Sequence, residues 1–166
     1  MRYNLSMSFI IKIFKKRFSK RQFDIESPNK KVICTIKMRD GRIFYEVKKE
    51  NTILVRESKL GFLLRGESEL GVNLNLVRTQ KKTCNEVFET IVGEQKEVRN
   101  NYNEMAVYVA EESEKKRLFS LRFRVFNDGV AFRYEVPPQP SFQRIIIEDE
   151  LTEFNVDLNS QAWRIP

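Results

Sequence analysis

Glu148, Asp149, Glu150 and Glu153 put four carboxylates into one short stretch of the sequence. Two carboxylates a few ångström apart can run glycoside hydrolysis or hold calcium. A cluster of this kind at a strand end also serves as plain solvated surface, and that reading is kept beside the chemical one. Trp163 is the single tryptophan, and with Tyr102 it is a candidate stacking platform for a sugar ring. Core or interface packing is the competing role for such rings. Asp128 precedes Gly129 in a turn, where its side chain needs no chemistry to explain it. No phosphate-binding loop, zinc spacing or nucleophile motif occurs.

The absences narrow the chemistry further. The sequence contains no histidine. That excludes Ser-His-Asp and Cys-His centres, histidine metal sites and histidine pH switches within these residues. Cys34 and Cys84 are the two cysteines, too few for a structural zinc or iron–sulfur site. One disulfide between them stays open; two buried free thiols are the expectation.

Length and composition describe what must position these residues. The sequence has 166 residues, 41% hydrophobic and 32% charged, with 13 phenylalanines. This is the composition of one globular domain rather than a disordered tail.

The net charge of +7 is confined to one end. Arg2, Lys12, Lys15, Lys16, Arg17, Lys20 and Arg21 lie within residues 1–22, which hold no acid. The remaining 23 basic residues match the 23 acidic ones, so residues 23–166 are formally neutral. A neutral body lacking a basic and aromatic stripe gives no nucleic-acid signal. Residues 1–22 read as a basic leader. The apolar run Phe9–Phe14 is too short to cross a membrane and is broken by Lys12. As a helix it is amphipathic, with Ile10, Ile13, Phe14 and Phe18 near one face. A degenerate export signal, an idle leader and a surface-binding helix all fit it. A membrane surface is not expected as a partner of the domain.

Residues 30–157 read as β-structure. Val32, Cys34, Ile36 and Met38 alternate with other residues at period 2. Asp40-Gly41 is a hairpin signal, followed by a return strand Ile43–Val47 and a third strand Thr52–Val55. Gly61, Gly66 and Gly71 punctuate a looser region around Phe62-Leu63-Leu64, after which Val72, Leu74 and Leu76 alternate again. Val87–Val92 and Glu97–Arg99 read as one or two strands, and Ala106–Val109 as another. Leu118–Phe126 turns at Asn127-Asp128-Gly129 and returns through Val130–Val136. Prolines 137, 138 and 140 end that strand. Arg144–Ile147 and Glu153–Val156 are the last expected strands. Regular strands and turns predict an all-β, antiparallel sandwich.

Several segments in this order resemble the N-terminal domain of glycoside hydrolase family 97, which comprises bacterial α-glucosidases and α-galactosidases. They are Ser27-Pro28-Asn29-Lys30, Leu60-Gly61, Gly93-Glu94 and Val98–Glu104. Phe123–Tyr134, containing Asn127-Asp128-Gly129-Val130-Ala131-Phe132-Arg133-Tyr134, is the most specific. Asp149–Phe154 and Ala162–Pro166 complete the set. The resemblance covers about residues 24–166. It departs at Val87–Val92, where the family often carries tryptophans, and in lacking the usual clean export signal.

The resemblance implies a β-super-sandwich like that of galactose mutarotases. Relatives are longer, so it also implies a sandwich short of its last strands, with an unpaired sheet edge. The family's catalytic carboxylates lie on a following (β/α)8 barrel, where barrel chemistry resides. Its calcium is held mostly by barrel glutamates. No catalytic residue and no metal ligand is therefore carried onto this sequence. A catalytic barrel and an α-glycoside or oligosaccharide are the implied partners, and a periplasmic or secreted location is the implied one. The family-signature residues Arg99, Asn103, Asp128 and Arg133 are expected to fix turns and sheet geometry.

Overall fold

The computed structural model describes residues 20–91, 96–113, 115–140, 144–157 and 159–161. Ten strands form. They are β1 (Arg21–Glu26), β2 (Val32–Arg39), β3 (Arg42–Lys49), β4 (Thr52–Lys59) and β5 (Phe62–Leu64), then β6 (Leu74–Glu89), β7 (Glu97–Glu111), β8 (Leu118–Phe126), β9 (Val130–Glu135) and β10 (Ile147–Glu150). No described residue is helical. The strands make two four-stranded antiparallel sheets, β1-β2-β3-β4 and β6-β7-β8-β9, and a small β10-β5 pair.

Period-2 patterning decides which side chains meet. Val32, Cys34, Ile36 and Met38 of β2 and Ile43, Tyr45 and Val47 of β3 are buried on the inner face of the first sheet. Met105, Val107 and Val109 of β7 and Phe119, Leu121, Phe123 and Val125 of β8 bury against them from the second. Aromatic rings bridge the layers, with Tyr45 of β3 at 5.2 Å from Phe132 of β9 and 6.4 Å from Phe123 of β8. The hairpins form where expected. Asp40 and Gly41 take φ of 51° and 68°, as a two-residue hairpin turn requires. The Asn127-Asp128-Gly129 turn joins β8 to β9.

Four expectations are corrected. Val72–Leu76, Val87–Val92, Glu97–Arg99 and Ala106–Val109 are not separate strands. Leu74–Leu76 and Val87–Glu89 fall within the one strand β6, and Glu97–Arg99 and Ala106–Val109 within β7, and the two pair without interruption from Arg78↔Tyr108 to Glu89↔Glu97. The pattern hid this because much of β6 is exposed on both faces, so no alternation marks it. Second, the last strand is displaced. β10 starts at Ile147, and residues 153–156 run alongside β4 without forming a strand, through Glu153 N to Lys59 O and Arg56 N to Asn155 O. Third, Phe62–Leu64 is an ordered strand rather than a loose connection. Fourth, Arg21 and Gln22 belong to β1, so the domain begins inside the segment read as leader. The expected amphipathic helix falls otherwise on residues 1–19, outside the described residues.

Both cysteines are free. Cys34 is buried in the core and Cys84 is half-buried. Burial pushes the Cys34 thiol up to about 12, with Asp24 adding to the shift.

Candidate functional site

The outer face of the β6-β7-β8-β9 sheet carries the densest ordered polar chemistry. Register brings Lys82, Glu104, Arg124 and Ala131 into one row across the sheet, and Gln80, Ala106, Arg122 and Arg133 into the next. Glu104 is only 3% exposed although no further strand among the described residues covers it. Long side chains lie flat over it instead. Arg122 donates from Nη1 to Glu104 Oε1 at 2.5 Å, and Arg124 donates from Nε to Glu104 Oε2 at 2.8 Å. Arg122 also donates twice to Glu135, and Arg133 donates to Glu135 Oε1. The result is one continuous network, Arg124–Glu104–Arg122–Glu135–Arg133.

Its electrostatics argue against acid catalysis. Hydrogen bonds from Arg122 hold Glu135 down at about 2, against the cost of burial and with help from Arg133. Burial pushes Glu104 up, but Arg124 and Arg122 outweigh it and the net shift is downward. A general acid needs a carboxyl raised toward the working pH, which is the opposite shift. These two carboxylates are structural anions.

A pH dependence follows. A carboxylate whose folded pKa is lowered contributes stability above its unfolded value and loses it as pH falls. For Glu135 that window runs from about 4.5 down to about 2. Denaturant midpoints should therefore fall across this range. The Glu135→Gln variant should show a shallower fall, and an identical slope would refute the assignment.

Tyr102 lies on this same outer face, opposite Cys84. It is 3% exposed, with Arg124 4.5 Å over its ring and Phe126 at 5.2 Å. Arg124 covers one face of its ring and Phe126 packs beside it. Trp163, the other candidate platform, lies outside the described residues. The two are not brought together by anything described.

The acidic cluster disperses as well. Glu150 accepts from Thr152 Oγ1, and Glu153 Oε2 accepts from Lys59 N at 2.9 Å. Glu148, Asp149, Glu150 and Glu153 are all exposed. Among the described residues no three His, Cys, Asp or Glu side chains converge as a metal site. Exposed and bonded separately, these carboxylates do not gather a calcium ligand set among the described residues.

The signature residues act as fasteners. Asn29 N donates to Asn127 Oδ1 at 3.0 Å, tying the turn before β2 to the turn after β8 across 98 residues of sequence. Asn103 Nδ2 donates to Glu26 O at 2.8 Å and links β7 to β1. Arg99 bonds Asn85 across the β6–β7 pair. Tyr45 Oη donates to Glu153 O at 2.9 Å, pinning the last segment to the core. Glu104, Arg122 and Glu135 escaped the sequence reading. Alternation puts Arg122 and Arg124 on one polar face, but only the register shows which carboxylates they meet.

Comparison with known proteins agrees with this architecture. The model of the family described as Glycosyl-hydrolase 97 N-terminal matches residues 25–166. The chain is 26% identical over 116 residues to a retaining alpha-galactosidase of Bacteroides thetaiotaomicron, covering 70% of this chain and 16% of that protein. A glycoside hydrolase family 97 enzyme of Pseudoalteromonas sp. strain K8, solved with panose and with acarbose, matches with a TM-score of 0.75 at 29% identity. That match covers 82% of this chain and 20% of the enzyme. A beta-arabinopyranosidase shares the fold at a TM-score of 0.73 and 20% identity, over 81% of this chain and 21% of that one. This chain thus spans no more than about a fifth of the length of these proteins. With its interlocked turns and its two facing antiparallel sheets, the chain belongs to the Glycosyl-hydrolase 97 N-terminal family.

Proposed function

We propose that this domain is a non-catalytic β-sandwich module that packs on the catalytic domain of a glycoside hydrolase and shapes one side of its carbohydrate site. One observation carries the reading. The carboxylates joined across its polar face, Glu104 and Glu135, are each bonded to two arginines and held ionised, so neither suits the general acid that glycoside hydrolysis needs. The relatives that match are several times longer and have room for a separate catalytic part. By resemblance that part is a (β/α)8 barrel, which would also carry most of the calcium ligands.

The purified chain is expected to release no aglycone from aryl α-galactosides or aryl α-glucosides, with or without calcium. A hydrolysis assay checks this, and turnover above the uncatalysed rate would refute the reading. A free-standing carbohydrate-binding module is the second reading, favoured by the relative solved with panose and with acarbose. Calorimetric titration with maltose-type and galactoside oligomers separates the two. Heat of binding to the isolated chain at millimolar sugar supports the second.

A further inference from the structure

We infer that the groove at the start of β6 is the docking point for a partner-domain segment that presents an aliphatic side chain beside a carboxylate. The inference rests on the proposed packing against a catalytic domain and names the surface used.

The groove has a volume of about 410 Å³. Val77, Leu118, Val136 and Pro137 form its apolar part, Glu135 also lines it but is already held by Arg122 and Arg133, and Arg78 lies at its rim over Tyr108. A register irregularity between Leu76 and Arg78 lies at its edge. Such a bulge re-aims the side chains beside it, and Val77 is left 58% exposed. The wall is fixed in advance. Gln139 accepts from Leu118 N at 2.8 Å and donates to Leu118 O at 2.7 Å, which holds residues 137–139 against β8. Leu118 is itself 47% exposed.

Arg78 supplies the charge argument. Its guanidinium stacks 3.8 Å from the Tyr108 ring centroid. Its one hydrogen bond among the described residues is a long one, 3.4 Å to Gln80 Oε1. On the same face Arg122, Arg124 and Arg133 each bond a carboxylate. Arg78 is thus a flattened, pre-oriented cation with donors to spare at the edge of an apolar groove. A planar guanidinium matches a carboxylate in bidentate fashion.

The other occupants fit less well. A sugar would need an open aromatic face, and Arg78 covers that of Tyr108. A second copy placed symmetrically on this face would bring Arg78, Arg122 and Arg133 toward their own counterparts. A segment with a carboxylate next to an aliphatic side chain satisfies both halves of the groove.

The test titrates the 166-residue chain with acetyl-Leu-Glu-Leu-amide and acetyl-Leu-Gln-Leu-amide, followed by amide NMR shifts. The Glu peptide should move Leu118, Ser120 and Val136 and bind roughly tenfold more tightly than the Gln peptide. Arg78→Gln, at an exposed position, should abolish that preference, while Lys82→Gln should keep it. Equal binding of the two peptides, no binding, or a preference that survives Arg78→Gln would overturn the inference. So would maltotriose shifting the same amides. If the preference fails while this domain still supports a relative's catalytic part, the packing reading stands and only this docking point falls.

Discussion

Replacing Arg117 with methionine is expected to destabilise the domain by about 3–5 kcal/mol, the usual cost of stranding a buried charge. Arg117 is 1% exposed and its partner Glu111 is 3% exposed. Arg117 Nε donates to Glu111 Oε2. Its two remaining nitrogens donate to Ser68 O at 3.1 Å, Ser68 Oγ at 2.9 Å and Glu69 O at 3.1 Å. Glu111 in turn accepts from Gly71 N at 3.3 Å. One ion pair therefore anchors the loop between β5 and β6 onto the end of the β7–β8 hairpin. Removing the guanidinium leaves the Glu111 carboxylate desolvated and two loop carbonyls without these donors. The double variant Arg117→Met with Glu111→Leu should recover much of the loss, because no stranded charge remains. Guanidinium denaturation of the wild type, the single and the double variant checks this. A single-variant cost below about 1 kcal/mol, the range of an exposed pair, would contradict the assignment.

Phe123→Ala is expected to cost about 3–5 kcal/mol, as deletions of fully buried aromatic rings do. Phe123 is completely buried where the two sheets meet. Its ring lies 5.5 Å from Phe132 and 6.4 Å from Tyr45, so it touches both layers through the same aromatic cluster. Deleting it opens a cavity at the point where the layers are joined. The control is Phe88→Ala at a position 47% exposed, which should change stability by no more than about 0.5 kcal/mol. Equilibrium denaturation of the two variants gives the comparison. Similar losses at the two sites would mean that the core is not where the facing sheets place it.

Much of the fold was legible because period-2 burial leaves a mark on the sequence. β2, β3, β8 and β9 follow from their alternation, and their turns from Asp40-Gly41 and Asn127-Asp128-Gly129. β6 was not legible as one strand. Arg78 to Glu89 is almost all exposed, so nothing in the residue types separates inside from outside. Backbone pairing to β7 holds it, and pairing leaves no mark on side-chain pattern. Residues 153–156 failed for the opposite reason. Their apolar residues Phe154 and Val156 suggested a strand, yet they run beside β4 through scattered hydrogen bonds.

The site was less legible than the fold. Glu104, Arg122 and Glu135 sit on three different strands, and only cross-strand register joins them. Tyr102 was singled out by residue type, but type cannot show that Arg124 lies over its ring. Val77 and Arg78 owe their exposure at the groove to a bulge whose position the sequence does not mark. The family signature was legible as motifs, while its physical meaning appeared only when Asn29 met Asn127 across the sandwich.

The most direct test of the module's role is a domain exchange. This chain would replace the corresponding N-terminal residues of the Bacteroides thetaiotaomicron retaining alpha-galactosidase. The account predicts that the exchanged enzyme is soluble and keeps activity within about tenfold of the parent, a difference of about 1.4 kcal/mol in barrier. Simple deletion of those residues should abolish activity. Full activity in the deletion, or an exchanged enzyme as inactive as the deletion, would contradict it.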